Sequence, residues 1–156
     1  MGGFIKSNIV QAFKMSSNSM VPTLLKSDRI LVKKKYLLRN WFPKRYDIVV
    51  FKTPHKKEFI KRIMGFPGET IEIKEGAVLV NSTKLNLLKK KKKIIYENIG
   101  DYGEKGKSYK IPVGFYYILG DGDKSVDSRF FGFISKSDIV GRAYKIYFPF
   151  NRARKL

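Results

Sequence analysis

The chain has 156 residues, enough for one domain with a hydrophobic core, and its 43% hydrophobic and 14% aromatic content exclude an intrinsically disordered protein. Its 33 Lys and Arg residues against 13 Asp and Glu residues give a net charge of +20, which predicts an anionic partner, either nucleic acid or an acidic membrane surface. The absence of cysteine excludes disulfides, thiolate metal sites and a cysteine nucleophile, and no segment has the ~18–20 apolar residues that span a bilayer.

The N-terminal segment MGGFIKSNIVQAFKM has apolar residues at a spacing that predicts one face of a short helix: Phe4, Ile5, Ile9, Val10 and Phe13. It lacks the long apolar stretch and the small-residue cleavage site of a signal peptide. The cluster SSNSMVPTL follows at residues 16–24. It fits either a polar turn leading into a strand or a serine held in a rigid loop for chemistry.

Short apolar runs bounded by turn residues predict strands along the rest of the chain. They occur in DRILVKKKYL, YDIVVFKTP, GAVLVNSTKL, GFYYILGDG and IVGRAYKIYFPF, and EFIKRIMGFPGETIEI reads as two strands around the turn GFPGE. The stretch 86–109 differs, because it carries five consecutive lysines, Lys89–Lys93, and then polar sequence. We interpret it as an insertion whose lysines form a solvated face or contact anionic lipid head groups or phosphates.

One lysine is a candidate general base. With a period of two, Phe59, Lys61 and Ile63 share one face of a strand, so Lys61 would be partly desolvated. Desolvation lowers the pKa of a lysine, and the neighbouring cation Arg62 would act in the same direction. The alternative is that Lys61 is one more surface cation of a basic protein. His55, the single histidine, lies in TPHKKE and is predicted to be a solvated turn residue rather than a catalytic base.

The stretch GDGDKSVDSRFFGFI, residues 120–134, predicts a loop of fixed geometry, because it combines three aspartates, an arginine and three glycines. Asp127 and Arg129 are two residues apart, and a partly buried ion pair between them would order the loop. The alternative is a solvated acidic turn.

The order of these motifs carries more information than any one of them. SNSMVPTL, RYDIVVF, FIKRIMGFPGETIEI and GDGDKSVDSRFFGFI, closed by VGRAYKIYFPFNR, together resemble the type I signal peptidase family from about Phe13 to Arg152. The resemblance implies a mainly β fold, with an antiparallel β-sheet catalytic core related to that of self-cleaving repressors and a small inserted cap. It also implies a serine endopeptidase that removes signal peptides after small residues through a Ser-Lys dyad, with no cofactor and no metal.

Residue by residue, the resemblance places Ser19 at the nucleophile and Lys61 at the general base. Ser17 falls on the side-chain donor of the oxyanion hole, with the backbone N–H of Ser19 as the second donor. Ser125 falls on the serine that orients the lysine. Asp127 and Arg129 fall on a supporting salt bridge.

Two departures from the family pattern are visible. Asn18 stands where the family usually has glycine, and asparagine tolerates left-handed backbone angles better than most residues. The GDGDKSVDSR motif is one residue shorter than the common form, so Asp121, Gly122 and Asp123 receive no role.

The resemblance divides the chain into a membrane-proximal segment 1–15, a peptidase core formed by 16–85 and 110–152, and the insertion 86–109. It implies an active domain on the extracytoplasmic side of the bacterial cytoplasmic membrane. The expected apolar anchor is not visible in this sequence and is either absent or truncated. The expected partners are signal peptides of exported preproteins and an anionic membrane surface, with no nucleic acid.

Three alternatives remain open at this point. One is a specialised, conjugation-type processing peptidase with few substrates. The second is a basic nucleic-acid-binding domain that carries inactive peptidase motifs, although 156 residues leave no room for a separate DNA-binding region before Ser17. The third is a catalytically dead scaffold, against which the intact Ser17, Ser19, Lys61 and Ser125 argue.

Overall fold

The computed structural model describes residues 10–34, 41–86 and 94–156. Within them the chain forms twelve strands and one short α-helix, joined by turns and single-turn 3-10 segments. The strands are β1 (Val10–Lys14), β2 (Arg29–Lys34), β3 (Ile48–Lys52), β4 (Glu58–Gly65), β5 (Thr70–Lys74), β6 (Ala77–Val80), β7 (Thr83–Lys84), β8 (Ser108–Lys110), β9 (Phe115–Leu119), β10 (Ile134–Ser135), β11 (Ile139–Phe148) and β12 (Arg154–Lys155), and the helix is α1 (Ser128–Phe131).

The strands form two antiparallel sheets. The larger sheet has the order β1-β2-β11-β3-β4-β9-β10, with β12 paired to β11, and the smaller sheet has the order β7-β6-β5-β8. β3 and β4 form a hairpin in which Val49 lies opposite Lys61. On its other side, β4 pairs with β9 only from Arg62 onward. The prediction of an antiparallel β core is therefore confirmed.

Three apolar clusters hold the sheets together. One lies under β2, β3 and β11 and includes Met20 and Leu24 from the serine loop. A second joins the smaller sheet to β9 through fully buried residues such as Ile71 and Tyr117. The third packs Val49 and other residues of the large sheet against β9 and β10. The serine loop is thus pinned by two buried side chains, and burying a side chain of this size contributes about 1.5–3 kcal/mol.

The N-terminal helix is the main wrong prediction in the described residues. Val10 and Phe13 lie in β1, which pairs antiparallel with β2. A segment of five residues with apolar side chains at Val10, Ala12 and Phe13 fits a strand as well as a helix, and the edge of β2 decides between them by supplying hydrogen-bond partners. Phe4, Ile5 and Ile9 lie outside the described residues, as do most of residues 1–15.

The strands predicted around GFPGE and in GAVLVNSTKL, DRILVKKKYL, YDIVVFKTP, GFYYILGDG and IVGRAYKIYFPF are all present. The lysine run Lys89–Lys93 lies outside the described residues, so the insertion at 86–109 stays a prediction. Of its described part, Tyr96 is buried and its N–H donates to Gly76 O at 2.9 Å. β8 begins at Ser108 and pairs with β5.

Candidate active site

Ser19 lies in the loop between β1 and β2, which is fixed by its own backbone hydrogen bonds. Val21 N donates to Asn18 O, and Leu24 N donates to Met20 O. Ser19 itself is only 9% exposed, directly before the fully buried Met20. The cluster is therefore a rigid loop that presents a serine, rather than a free polar turn. Asn18 has a negative φ, so the loop does not use the left-handed conformation that asparagine would tolerate.

Lys61 projects from β4 to the serine. Its Nζ donates a hydrogen bond to Ser19 Oγ at 2.7 Å, although the two residues are 42 positions apart. The side chain is 4% exposed, and Nζ lies 5.4 Å from the ring centroid of Phe59. This agrees with the predicted strand face shared by Phe59 and Lys61.

Burial changes the protonation of this lysine. Desolvation lowers the pKa of Lys61 from its usual value of 10.5 to about 8, while the negative charges of Asp127 and Asp121 raise it and offset part of the effect. The predicted contribution of Arg62 is not found, because that guanidinium is paired with Asp121. With a pKa of about 8, roughly one tenth of the Lys61 side chains are neutral at pH 7.

Ser17 lies on the exposed side of the same loop. Its Oγ is 3.0 Å from Ser19 Oγ, and it accepts a hydrogen bond from Ser19 N at 3.4 Å. The Ser17 hydroxyl and the Ser19 N–H lie next to the reactive oxygen, but the N–H points to Ser17 Oγ and the two donors do not converge on a common position. Their role as an oxyanion hole stays a prediction.

Two glycines of the 120–134 loop pack against the serine from the other side. A Cβ at Gly120 would collide with Ser125 Oγ and with Ser19 O, and a Cβ at Gly122 would collide with Asn18 O. Gly122 N also donates to Ser19 O at 2.8 Å. The loop therefore holds the backbone of Ser19 by direct contact that only glycine permits.

Ser125 is 2% exposed, and its Oγ has no hydrogen-bond partner among the residues that the structure describes. The structure thus brings Ser125 into the wall of the site, but it does not join Ser125 to Lys61 by a hydrogen bond. The orienting role of Ser125 stays a prediction.

Asp127 and Arg129 form a buried ion pair. Arg129 Nε and Nη2 donate to the two oxygens of Asp127 at 2.9 and 3.0 Å, with side-chain exposures of 2% and 0%. Asp127 also caps α1 by accepting from Arg129 N, and it accepts from Gly120 N at 3.1 Å. Arg129 Nη1 donates to Glu97 O. One carboxylate therefore fixes α1 and the glycine that touches Ser19.

A second ion pair was missed by sequence reasoning. Arg62 donates to both oxygens of Asp121 at 2.9 and 2.6 Å, and Thr23 Oγ1 donates to the same carboxylate at 2.6 Å. This network joins β4, the serine loop and the 120–134 loop beside Lys61. The available signal was an arginine between Ile60 and Ile63 in a strand predicted to be half-buried, since a buried cation requires a carboxylate partner.

A groove of about 570 Å³ runs past the serine and the lysine. One wall comes from the end of β1 and the serine loop, and another from the start of β4. It is lined by Phe13, Lys14, Met15, Ser16, Ser17, Ser19, Lys57, Glu58, Phe59, Ile60, Lys61, Lys124 and Val126. His55 lies outside this groove, in an exposed turn between β3 and β4, as predicted.

This arrangement supports nucleophilic chemistry. A hydroxyl becomes a nucleophile when a neighbouring base accepts its proton, and a lysine serves as that base when desolvation lowers its pKa. Ser19 and Lys61 meet both conditions of distance and environment.

Comparison with known proteins shows the family to which this chain belongs. The family model for signal peptidase, peptidase S26, matches residues 1–148. A signal peptidase I P from Bacillus subtilis subsp. natto is 35% identical over 96% of this chain and 83% of its own length. A signal peptidase I from Leptolyngbya laminosa is 34% identical over 97% of this chain and 75% of its own length. The signal peptidase I V of Bacillus subtilis strain 168 is 37% identical over 88% and 85%.

Among solved structures, a signal peptidase I from Enterococcus faecalis V583 matches with a TM-score of 0.49 and 26% identity, covering 65% of this chain and 97% of its own. The family model and the relatives span nearly the whole chain. The protein belongs to the signal peptidase I family of serine endopeptidases, peptidase S26.

Proposed function

We propose that this protein cleaves N-terminal signal peptides from exported preproteins after small residues, with Ser19 as nucleophile and Lys61 as general base. The observation that carries the proposal is the 2.7 Å hydrogen bond between Lys61 Nζ and Ser19 Oγ in a buried setting. The family membership supplies the substrate class.

In the proposed mechanism, neutral Lys61 takes the proton of Ser19 as its oxygen attacks the scissile carbonyl carbon. The carbonyl oxygen becomes negative and is stabilised by the Ser17 hydroxyl and the Ser19 N–H. Lys61 then gives the proton to the leaving amine, and an acyl-enzyme remains on Ser19. Water hydrolyses the acyl-enzyme, with Lys61 again accepting the proton.

The other site residues position this pair. The Asp127–Arg129 ion pair holds Gly120, and Gly120 and Gly122 contact the Ser19 backbone. We propose that Ser125 orients Lys61 through a hydrogen bond that forms when the substrate is bound.

The substrate would bind as an extended chain. In the described residues, Glu58–Lys61 pairs with β3 on one side only, and this open edge forms part of the groove beside Ser19. An extended peptide gains main-chain hydrogen bonds by lying along such an edge, which also places its carbonyl groups in line with the serine.

The test is cleavage of a preprotein with an Ala-x-Ala site by the wild type, Ser19→Ala and Lys61→Ala, with Ser108→Ala and Lys52→Ala as matched exposed controls. We expect both site variants to lose at least ~10³-fold in rate and both controls to keep it. Equal cleavage by all five proteins would remove the assigned roles. A specialised processing peptidase would instead cleave only a few members of a preprotein panel.

The family is membrane-associated, and we propose an anionic membrane surface as the second partner. Within the described residues, no helix has the length and apolarity to span a bilayer. The outer face of β2, β11 and β12 is basic, with Lys33 opposite Arg142 and Lys145 opposite Lys155 in register. Like charges in such positions repel one another, and an anionic surface lying against this face would relieve the repulsion.

Aromatic side chains lie beside these cations. Arg29 lies 5.0 Å above the ring of Phe148, and Phe150, which packs edge-on to Phe148, is 82% exposed. Basic residues with exposed aromatic residues fit a lipid head-group region, where each cation contributes about 1 kcal/mol.

Co-sedimentation with phosphatidylglycerol and phosphatidylcholine vesicles tests this partner. We expect binding to the anionic vesicles alone, weakened at least ~10-fold by Lys145→Glu with Lys155→Glu. Lys105→Glu with Lys110→Glu makes the same change in net charge elsewhere and serves as the control. Equal weakening by both pairs would contradict a specific face, and a stronger effect on duplex DNA binding than on vesicle binding would favour nucleic acid as the partner.

A further inference from the structure

Even without counting the proposed base Lys61, the groove carries a net positive charge. Lys14, Lys57 and Lys124 line it, against a single carboxylate, Glu58. All three lysines are exposed, and none of them forms an ion pair within the described residues. Other cations near the site are neutralised by carboxylates, as Arg62 is by Asp121. The groove therefore holds uncompensated positive charge where a substrate would lie.

The three lysines come from different walls. Lys14 is the last residue of β1, Lys57 directly precedes β4, and Lys124 belongs to the 120–134 loop. An extended peptide in the groove would therefore meet positive charge from three directions. A cleft with apolar walls strengthens such a field, because less water screens it, and Phe13, Phe59 and Ile60 form part of these walls.

We propose that Lys14, Lys57 and Lys124 make the groove select substrates with an acidic residue within a few positions of the scissile bond and disfavour lysine or arginine there. The proposal rests on the proposed function, because it assumes that the groove holds the peptide to be cleaved. It adds a charge criterion to the requirement for a small residue before the cut.

The expected size of the effect follows from the exposure of the lysines. An exposed ion pair contributes about 0.2–1 kcal/mol, which corresponds to roughly 1.4- to 5-fold in binding for each lysine that meets a carboxylate. The preference should shrink at high salt, since exposed charges are screened over about 10 Å at 0.1 M ionic strength.

The experiment uses one Ala-x-Ala peptide in which each position flanking the cut is replaced in turn by Asp, Asn or Lys. Cleavage is measured as kcat/KM with the wild type, and binding is measured by fluorescence anisotropy with Ser19→Ala. The same peptides are then tested with Lys57→Glu, Lys124→Glu and the double variant. Lys105→Glu, an exposed lysine outside the groove, makes the same charge change and is the control.

We expect at least one position at which Asp exceeds Asn and Asn exceeds Lys, a reversal of this order in the double variant, and no change of order in Lys105→Glu. Equal values for the three peptides at every position would overturn the proposal, as would an equal shift by the control. Absence of cleavage by the wild type, with the binding order intact in Ser19→Ala, would refute the proposed function and leave the charge selection standing.

Discussion

Replacing Lys61 with methionine should stabilise the protein while it removes the proposed base. Folding lowers the pKa of Lys61 from 10.5 to about 8. At about 1.4 kcal/mol for each tenfold change in a proton-binding constant, the folded state therefore loses about 3 kcal/mol at pH 7 by holding the lysine charged. The lost hydrogen bond to Ser19 offsets about 1 kcal/mol of the gain. Lys61→Met should thus unfold with a free energy about 2 kcal/mol higher than the wild type at pH 7.

The sign of the pH dependence distinguishes this cause from better packing. Between pH 8 and 10.5 the unfolded state binds more protons at this site than the folded state, so the stability of the wild type rises with pH. The advantage of Lys61→Met should therefore fall by about 1 kcal/mol between pH 7 and pH 9. Urea unfolding of both proteins at the two pH values measures it. Lys52→Met, at an exposed lysine of β3, is the control and should show no such change.

An advantage of Lys61→Met that is the same at pH 7 and pH 9 would refute the reasoning. It would mean that the lysine is not desolvated in the folded state, and the case for a neutral base would fail with it. A loss of stability at both pH values would mean that the hydrogen bond to Ser19 outweighs the desolvation.

Three further outcomes follow from the site. The wild-type kcat/KM should rise with pH through an apparent pKa of about 8, as the proposed base Lys61 loses its proton, and a profile that is flat from pH 6 to 9 would contradict this role. Gly120→Ala should lower activity at least ~10-fold, because its methyl group collides with Ser125 and with the Ser19 backbone, whereas Ser108→Ala, at an exposed position of β8, should retain activity; comparing their rates and melting temperatures separates a loss of activity from a loss of stability. Arg129→Met should cost about 3–5 kcal/mol in urea unfolding, because it leaves the buried Asp127 carboxylate unpaired; a cost below 1 kcal/mol would mean that the pair is solvated.

Strand positions were predictable because each buried run has a local signature. The apolar centre of β3 and the turn between β4 and β5 are visible in the residues themselves. β1 was not predictable, because a five-residue segment satisfies both the helical and the extended period, and its partner β2 decides between them. The inner strands of the large antiparallel sheet were thus predictable from the sequence. The edge strand β1 was not, because its conformation depends on its pairing with β2.

The chemistry of the site was predictable only through the order of its motifs. The sequence spacing between Ser19 and Lys61 gives no hint that their side chains touch. Arg62 illustrates the limit, since its effect on Lys61 was predicted from adjacency alone. The carboxylate that neutralises Arg62 is 59 positions away, and only the folded chain brings it there.

Because the pKa of Lys61 depends on burial, the activity of the enzyme depends on the integrity of its fold. If the 120–134 loop opened, water would reach the lysine, its pKa would return toward 10.5, and its neutral fraction at pH 7 would fall from about one in ten to about one in 3000. Proteolytic activity would then be lost before the two sheets unfold. A damaged or partly unfolded molecule would therefore be inactive and would not cleave proteins unspecifically. Activity would be restricted to the folded enzyme without a separate inhibitor.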